Sequence, residues 1–387
     1  MNYTVGIGLL GCGTVGAAVA DRLTRERDAI ERRSGVRFEL HGVAIRDPGK
    51  SRPSSLEERL FTRDARAIVD DPQVDVIVEC IGGTTDAAEL VERALDRGRH
   101  VVTANKDLLA TQGPRLAALA AARGVTLRFE AAVAGAIPIV RTLDDALAGD
   151  RVRSVCGVLN GTCTSILAAM EGGADYAGAL AQAQRLGFAE ADPANDVDGI
   201  DAAHKLALLI GLAFGLAVIS PRIRRTGIAG VARRDIARAR MLGFRIRLVA
   251  AAIRTHDGTL AEVGPVLLPD GHEFARTRGA ENVVRIDARD AGTLVLRGAG
   301  AGGAPTASAV LGDVVATLRA IGERHDGGRR ARTNPPEPAI DVAPFFGVLP
   351  RAPELPQYPL WDDTLLTDAP ASQASLAFLW PGKGRTS

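Results

Sequence analysis

An α/β protein is what the sequence predicts: a doubly wound parallel sheet at the N-terminus, then a second, α+β domain. Three observations predict it. Short apolar runs alternate with amphipathic stretches along residues 5–130, the pattern of strands joined by crossover helices. The first apolar run leads straight into Gly11-x-Gly13-x-x-Gly16, the glycine spacing of a Rossmann-type dinucleotide turn. After residue 150 the alternation gives way to helical stretches mixed with longer strand-like runs.

Val5–Leu10 reads as the first strand and Thr14–Arg33 as the amphipathic helix after the glycine turn. In such a turn Gly11 allows the tight bend, Gly13 lets a pyrophosphate approach the backbone and Gly16 lets helix pack on strand. Thr14 and Val15 open the helix, whose N-terminus attracts phosphate. Phe38–Ile45 is strand two, followed by a polar loop with Pro48 and Pro53. Arg46 and Asp47 follow that strand, with Lys50 and Arg52 close behind. An arginine there accommodates the 2′-phosphate of NADP, whereas an acid binds the ribose of NAD. NADP is therefore expected, and Asp47 keeps NAD open. Val74–Cys80 is a continuous apolar run of the kind buried in parallel sheets. Asp86–Arg97 reads as helix, His100–Thr103 as strand, Gly113–Arg123 as helix and Thr126–Glu130 as strand. The His100–Thr103 strand delivers Thr103, Asn105 and Lys106 to the carboxyl edge of the sheet, where such sheets bind ligands. Phe129–Pro138 is apolar, rich in small residues and ends in proline. Its carbonyls suit a hard monovalent cation, although residue types alone favour a plain domain crossover.

Beyond residue 150, Ser165–Met170, Tyr176–Leu186, Gly199–Phe214 and Arg233–Leu242 read as helices, and Val152–Leu159, Phe244–Ile253, Val283–Ala288 and Thr293–Arg297 as strands. Asn160-Gly161-Thr162 lies at a strand end and opens a helix, so its polar groups cap that helix or face substrate. Gly298–Gly303 is glycine-rich, and Ser308–Ile321 reads as one more helix. The expected domains are a dinucleotide-binding domain over 1–135, completed by 303–323, and a substrate-binding and dimerisation domain over 136–302. Residues 324–387 read as a poorly ordered tail, because half of the 20 prolines, with Trp361 and Trp380, fall after residue 330.

Bulk properties narrow the function. A net charge of +1 implies neither a nucleic-acid nor a membrane partner. The longest apolar stretch, Leu206–Ile219, is too short to span a bilayer. Met1–Leu10 has no basic start before its apolar run, and the four cysteines show no CxxC spacing, so free thiols in a reducing cytoplasm are expected. Only four of the 47 basic residues are lysines: Lys50, Lys106, Lys205 and Lys383. Where arginine does almost every ordinary job, a lysine embedded in a dense motif is a candidate for proton transfer.

Leu186–Lys205 is the densest such motif, with Glu190, Asp192, Asp196, Asp198 and Asp201 ahead of Lys205. Asp201 and Lys205 are four apart on a helical stretch and share a face. An acid holding a lysine beside further carboxylates suits proton transfer with a polar, charged substrate. With the glycine turn, it implies hydride transfer to or from a nicotinamide. His204 has no second ligand at metal spacing and reads as a packing residue.

Together the segments GLLGCGTVG, VVTANKDLLA, FEAAVAGAIPIV, LNGTC, AQAQRLGFAEADPANDVDGIDAAHKLALL and GAGAGGAPTASAVLGD resemble homoserine dehydrogenase, in family order over residues 5–320. The resemblance implies NAD(P)-linked interconversion of L-homoserine and L-aspartate 4-semialdehyde in threonine, methionine and isoleucine biosynthesis. It implies that Lys205 exchanges the proton at the substrate oxygen and that Lys106 is its partner lysine. It also implies that Glu190 and Asp201 bind the amino group while Asp196 supports the site. Gly187 and Gly302 match backbone positions near the nicotinamide. Glu130, Val133, Gly135 and Ile137 match the carbonyls that hold a structural sodium ion. A homodimer through the second domain is implied. Three features depart from the family pattern: Thr164 and Ser165 follow Cys163, no regulatory ACT domain is recognisable, and no aspartate kinase domain precedes the glycine loop. The alternatives are a related oxidoreductase acting on another amino-acid aldehyde or alcohol, and a catalytically silent NADP sensor.

Overall fold

The protein is described by a computed structural model covering residues 3–50, 52–53, 55–216, 222–255, 258–325 and 342–343. The chain forms two compact units, one of residues 1–138 with 301–336 and one containing 139–300. Nearly all of the expected tail, including Trp361 and Trp380, lies outside the described residues.

In chain order the main elements of the first unit are β1 (Thr4–Leu10), α1 (Thr14–Arg25), α2 (Arg27–Ser34), β2 (Arg37–Ala44), β3 (Phe61–Thr62), α3 (Ala65–Asp70), β4 (Val76–Glu79), α4 (Asp86–Asp96), β5 (His100–Thr103), α5 (Lys106–Arg123) and β6 (Leu127–Arg128). The second unit follows with α6 (Ile139–Arg141), β7 (Val152–Val158), α7 (Gly161–Glu171), α8 (Tyr176–Arg185), α9 (Ala194–Val197), α10 (Ile200–Phe214), β8 (Arg224–Arg225), α11 (Arg233–Met241), β9 (Phe244–Thr255), β10 (Gly258–Pro269), β11 (Glu281–Ala288) and β12 (Gly292–Ala299). The chain then returns to the first unit as α12 (Gly303–His325).

The first sheet is all parallel in the order β3-β2-β1-β4-β5-β6. Both faces are covered, which is why its strands read as continuous apolar runs. Val5, Ile7, Leu9, Val76 and Val78 pack with Val19 and Leu23 of α1 and with Val310, Val314 and Leu318 of α12. Leu10, Ile77 and Val101 pack on the other side with Ile68, Val91, Leu95, Leu108 and Leu116. The strand order reverses between β1 and β4, so the glycine turn after β1 and the Ile81–Gly83 turn after β4 lie side by side at the carboxyl edge, the ligand position of such sheets.

Four local readings needed correction. The helix expected over 14–33 breaks at Glu26, whose backbone (φ −104°, ψ 17°) leaves helical geometry. Its side chain pairs with Arg22, while Arg27 turns to donate to the Phe38 carbonyl. The helix expected from Gly113 starts at Lys106, because the Asn105 side chain accepts the Leu108 N–H and caps it; Gly113-Pro114 lies within it. Strand β10 escaped detection because Gly264-Pro265 interrupts it. Proline is tolerated near a sheet edge, and β8 borders β10 only at Glu262 and Val263. Glu130 lies in a 3-10 turn rather than at a strand end.

The second sheet runs β12-β11-β7-β9-β10 with antiparallel neighbours, and the short β8 and β13 (Val342–Ala343) pair with β10 in parallel; helices α7, α10 and α11 pack on β9. Alternation in FRIRLVA would send Arg247 to solvent, yet it is 1% exposed. Its guanidinium donates to Glu171 at the end of α7 and to the Ala275 carbonyl.

His100, buried on β5, makes one pH-dependent contribution to stability. Thr126 donates its backbone N–H to His100 Nδ1 at 3.1 Å. Burial, then the Arg324 guanidinium, pushes the imidazole down to about 4, while Asp75 works the other way and Arg128 with Arg324. The unfolded chain takes up this proton near pH 6.5. Between about pH 6.5 and 4 the unfolded state therefore binds more protons, and stability falls as pH falls through that window. The full loss is up to about 3 kcal/mol. Denaturant unfolding at pH 7 and pH 4.5 is expected to show a smaller stability difference for His100→Gln than for the parent; equal differences would refute the assignment.

Candidate active site

The glycine turn is shaped by its own backbone at two positions and left open at the third. Gly11 has φ +95°, in the left-handed region that favours glycine, and a Cβ there would lie 2.7 Å from the Cys80 carbonyl oxygen. A Cβ on Gly16 would lie 1.9 Å from the Gly11 carbonyl oxygen. A Cβ on Gly13 would meet nothing within 4 Å. Gly13 is also the N-cap of α1, with no side-chain cap bond, and the first turn carries no acid. The N–H groups of Thr14 and Val15 therefore open onto a space that suits a phosphate. Gly303, at the start of α12, packs against Thr14; a Cβ there would be 2.9 Å from the Thr14 carbonyl oxygen. Gly302, just before it, has φ +117°.

Arg46 is exposed beyond the end of β2. Arg52 donates to the Cys12 carbonyl at 3.0 Å and the Asp47 carbonyl at 2.7 Å, tying this loop to the glycine turn. The Asp47 carboxylate accepts the Gly49 N–H at 2.9 Å and so is partly committed to its own turn. Burial pushes the Cys12 thiol up, opposed by Arg52.

At the neighbouring turn Glu79 is fully buried and accepts the N–H groups of Ile81 and Gly82. The Thr103 hydroxyl donates to Glu79 at 2.5 Å and accepts from the Asn105 N–H at 3.0 Å. Thr103 is thus engaged within the protein, bracing two turns, a task visible only in three dimensions because Glu79 and Thr103 lie 24 residues apart. Lys106 is half-buried at the first turn of α5.

The second unit gathers the acidic motif around one lysine. Lys205 Nζ donates to Asp201 Oδ2 at 2.8 Å and to the Leu159 carbonyl at 2.7 Å. Side-chain exposure is 12% for Lys205 and 8% for Asp201, so the pair is little screened by water. Two of the three N–H bonds of an ammonium are occupied in this way. Asn160, 3% exposed, donates through Nδ2 to Asp201 Oδ2 at 2.9 Å and to Asp196 Oδ1 at 2.7 Å. Its Oδ1 accepts the Cys163 N–H at 2.8 Å, capping α7. The sequence marked Asn160 as a cap or substrate contact; its bond to two distant acids needed the fold. Thr164, one of the unusual pair after Cys163, is buried and bonds back to the Asn160 carbonyl, so α7 is intact there.

Glu190 and Gly187 belong to the same unit as this cluster. Glu190 is exposed, and among the described residues none bonds its carboxylate; its carbonyl accepts from Gln184. Gly187 (φ +75°) ends α8. Lys106 belongs to the first unit and Lys205 to the second.

Comparison with known proteins adds lineage to this geometry. A homoserine dehydrogenase profile matches residues 138–315, and the profile of the homoserine dehydrogenase NAD-binding domain matches residues 11–130. The homoserine dehydrogenase of Corynebacterium glutamicum is 46% identical over 321 residues, 81% of this chain and 72% of the relative. The chain belongs to the homoserine dehydrogenase family. A crystal structure of a homoserine dehydrogenase from Thiobacillus denitrificans superposes with a TM-score of 0.84 at 40% identity, covering 89% of this chain and 81% of that one. A hyperthermophilic archaeal homoserine dehydrogenase in complex with NADPH superposes with a TM-score of 0.68 at 26% identity, covering 81% of this chain and 98% of that one. As a homoserine dehydrogenase the protein is an oxidoreductase acting on a CH–OH group, with a nicotinamide cofactor. No helix among the described residues is long and apolar enough to cross a membrane.

Proposed function

We propose that Lys205 exchanges the proton at the C4 oxygen of homoserine, with Asp201 orienting it. One observation carries this: the Lys205 ammonium is held at two points and retains a third N–H. The bound cofactor accepts or supplies the hydride. In the oxidative direction the Lys205 amine takes the hydroxyl proton as the C4–H bond pair leaves as hydride and the carbonyl forms. In the reductive direction the ammonium gives its third proton to the developing alkoxide. Lys106, at a helix N-terminus on the sheet's carboxyl edge, polarises the same oxygen. Glu190, whose carboxylate has no partner among the described residues, binds the substrate ammonium with Asp201, and Asp196 supports them. The test is a Lys205→Ala enzyme assayed together for turnover, folding and nucleotide binding.

The dinucleotide phosphates sit on the glycine turn, at Gly11, Gly13, Thr14, Val15 and Gly16, with Thr103, Lys106, Gly187 and Gly302 toward the nicotinamide. NADP is the cofactor, bound through Arg46; the engaged carboxylate of Asp47 is poorly placed to take the NAD ribose. Arg46→Ala is expected to raise the KM for NADP by about 10- to 100-fold, the worth of a charge-assisted bond, with the KM for NAD nearly unchanged. Equal effects on both cofactors would remove Arg46 from this role.

Glu130, Val133, Gly135 and Ile137 would hold a sodium ion through their carbonyls. In support, all four are buried and the chain coils between them through Ala134 (φ +55°) and Gly135 (φ +63°). A non-glycine residue in that region is uncommon and suggests a backbone shaped for a purpose. Exchanging sodium for choline at constant ionic strength is expected to lower thermal stability; an unchanged midpoint would count against the site. A homodimer through the second domain and a cytoplasmic location complete the proposal, the four free thiols agreeing with a reducing compartment.

A further inference from the structure

We infer that Asn160 is a positioning residue for the proton-transfer lysine, acting as the bridge that holds two carboxylates apart and turns one of them toward Lys205. The inference rests on the proposed role of Lys205. Three observations carry it. The two hydrogens of one buried amide nitrogen are divided between Asp196 and Asp201. The oxygen of Asp201 that receives Asn160 also receives Lys205. The Asn160 carbonyl oxygen is spent on the Cys163 N–H, which fixes which end of the amide faces the acids.

Two acids bonded to the same nitrogen are close enough to repel, and each would otherwise compete for the lysine. A neutral double donor satisfies both without adding charge. It leaves Asp201 as the carboxylate bonded to Lys205, while the Asp196 carboxylate bonds Asn160 and the Asp196 carbonyl accepts the Cys163 thiol. The neighbouring Cys163 thiol, held well above its ordinary value by burial and then by Asp196 and Asp201, stays neutral. Asp198 acts on both Cys163 and Tyr176 in this region. Leu159, beside Asn160 at the end of β7, supplies the carbonyl that holds Lys205. One strand end therefore fixes the lysine directly and through Asp201.

Cap-preserving substitutions separate positioning from folding. Serine and aspartate both cap helices well, so Asn160→Ser and Asn160→Asp keep the start of α7 but lose the double donor. Asn160→Ser is expected to unfold near the parent temperature, to keep the parent KM for nucleotide, and to lose about 10- to 100-fold in kcat, the scale of a misplaced catalytic group. Asn160→Asp places a third carboxylate beside the lysine, and the acidic limb of its kcat–pH profile for homoserine oxidation, where Lys205 must be a free amine, is expected to move up by about one pH unit or more. Parent-like kcat and pH profile in both variants, with Lys205→Ala inactive, would overturn the role of Asn160 while sparing that of Lys205. Lys205→Ala turning over at the parent rate would overturn the lysine's role and this inference with it.

Discussion

A Lys205→Ala enzyme is expected to lose about 10² to 10⁴ in kcat, the usual worth of a placed proton-transfer group. Asp201 would keep its bond from Asn160, so the carboxylate left behind in this largely buried site is not stranded. Some stability is lost all the same, because removing one partner of a buried pair costs more than removing a surface one. Lys205→Arg controls for that loss. It retains a positive charge opposite Asp201 but cannot release a proton at working pH. Both variants are expected to bind nucleotide with the parent affinity and to turn over slowly. A folded variant of either kind with near-parental kcat would remove Lys205 from the chemistry.

The second large effect divides two glycines of one turn. Gly16→Ala would drive a methyl to within 1.9 Å of the Gly11 carbonyl oxygen, so α1 must move away from the turn. A stability loss of about 1–3 kcal/mol or more is expected, as for other overpacked sites. Gly13→Ala meets nothing within 4 Å and keeps an ordinary negative φ of −81°. Its stability is expected to stay within about 0.5 kcal/mol of the parent. Its methyl would instead occupy the space proposed above for the pyrophosphate. With one or more charge-assisted backbone bonds lost, the nucleotide dissociation constant is expected to rise about 10-fold or more. Calorimetric unfolding and nucleotide titration on both variants check the pair. A Gly13→Ala protein that binds nucleotide normally would show that the phosphates lie elsewhere.

Particular elements show what could be read without coordinates. The strands of the first sheet were legible because burial on both faces leaves continuous apolar runs. The Asp201–Lys205 pair was legible because i,i+4 spacing on a helix is a local rule, and the structure closes it at 2.8 Å. Strand β10 was not legible, since Pro265 contradicts strand propensity unless an edge position is known in advance. Nor was the helix start at Lys106, where an asparagine cap outweighs a later Gly-Pro. The burial of Arg247 was not legible either: alternation suits a strand, but the face it points to is covered, and Glu171 waits there.

By itself the sequence determined the strand–helix alternation, the glycine turn, the lysine and its acid, and the family, because each is written in residues close along the chain. Tertiary structure alone decided that Asn160 joins Asp196 to Asp201, that Thr103 braces Glu79, and that Arg52 reaches the Cys12 carbonyl. Those contacts span 24 to 41 residues. Buried polar groups must find partners wherever the fold brings them, and no local pattern specifies a partner that far along the chain.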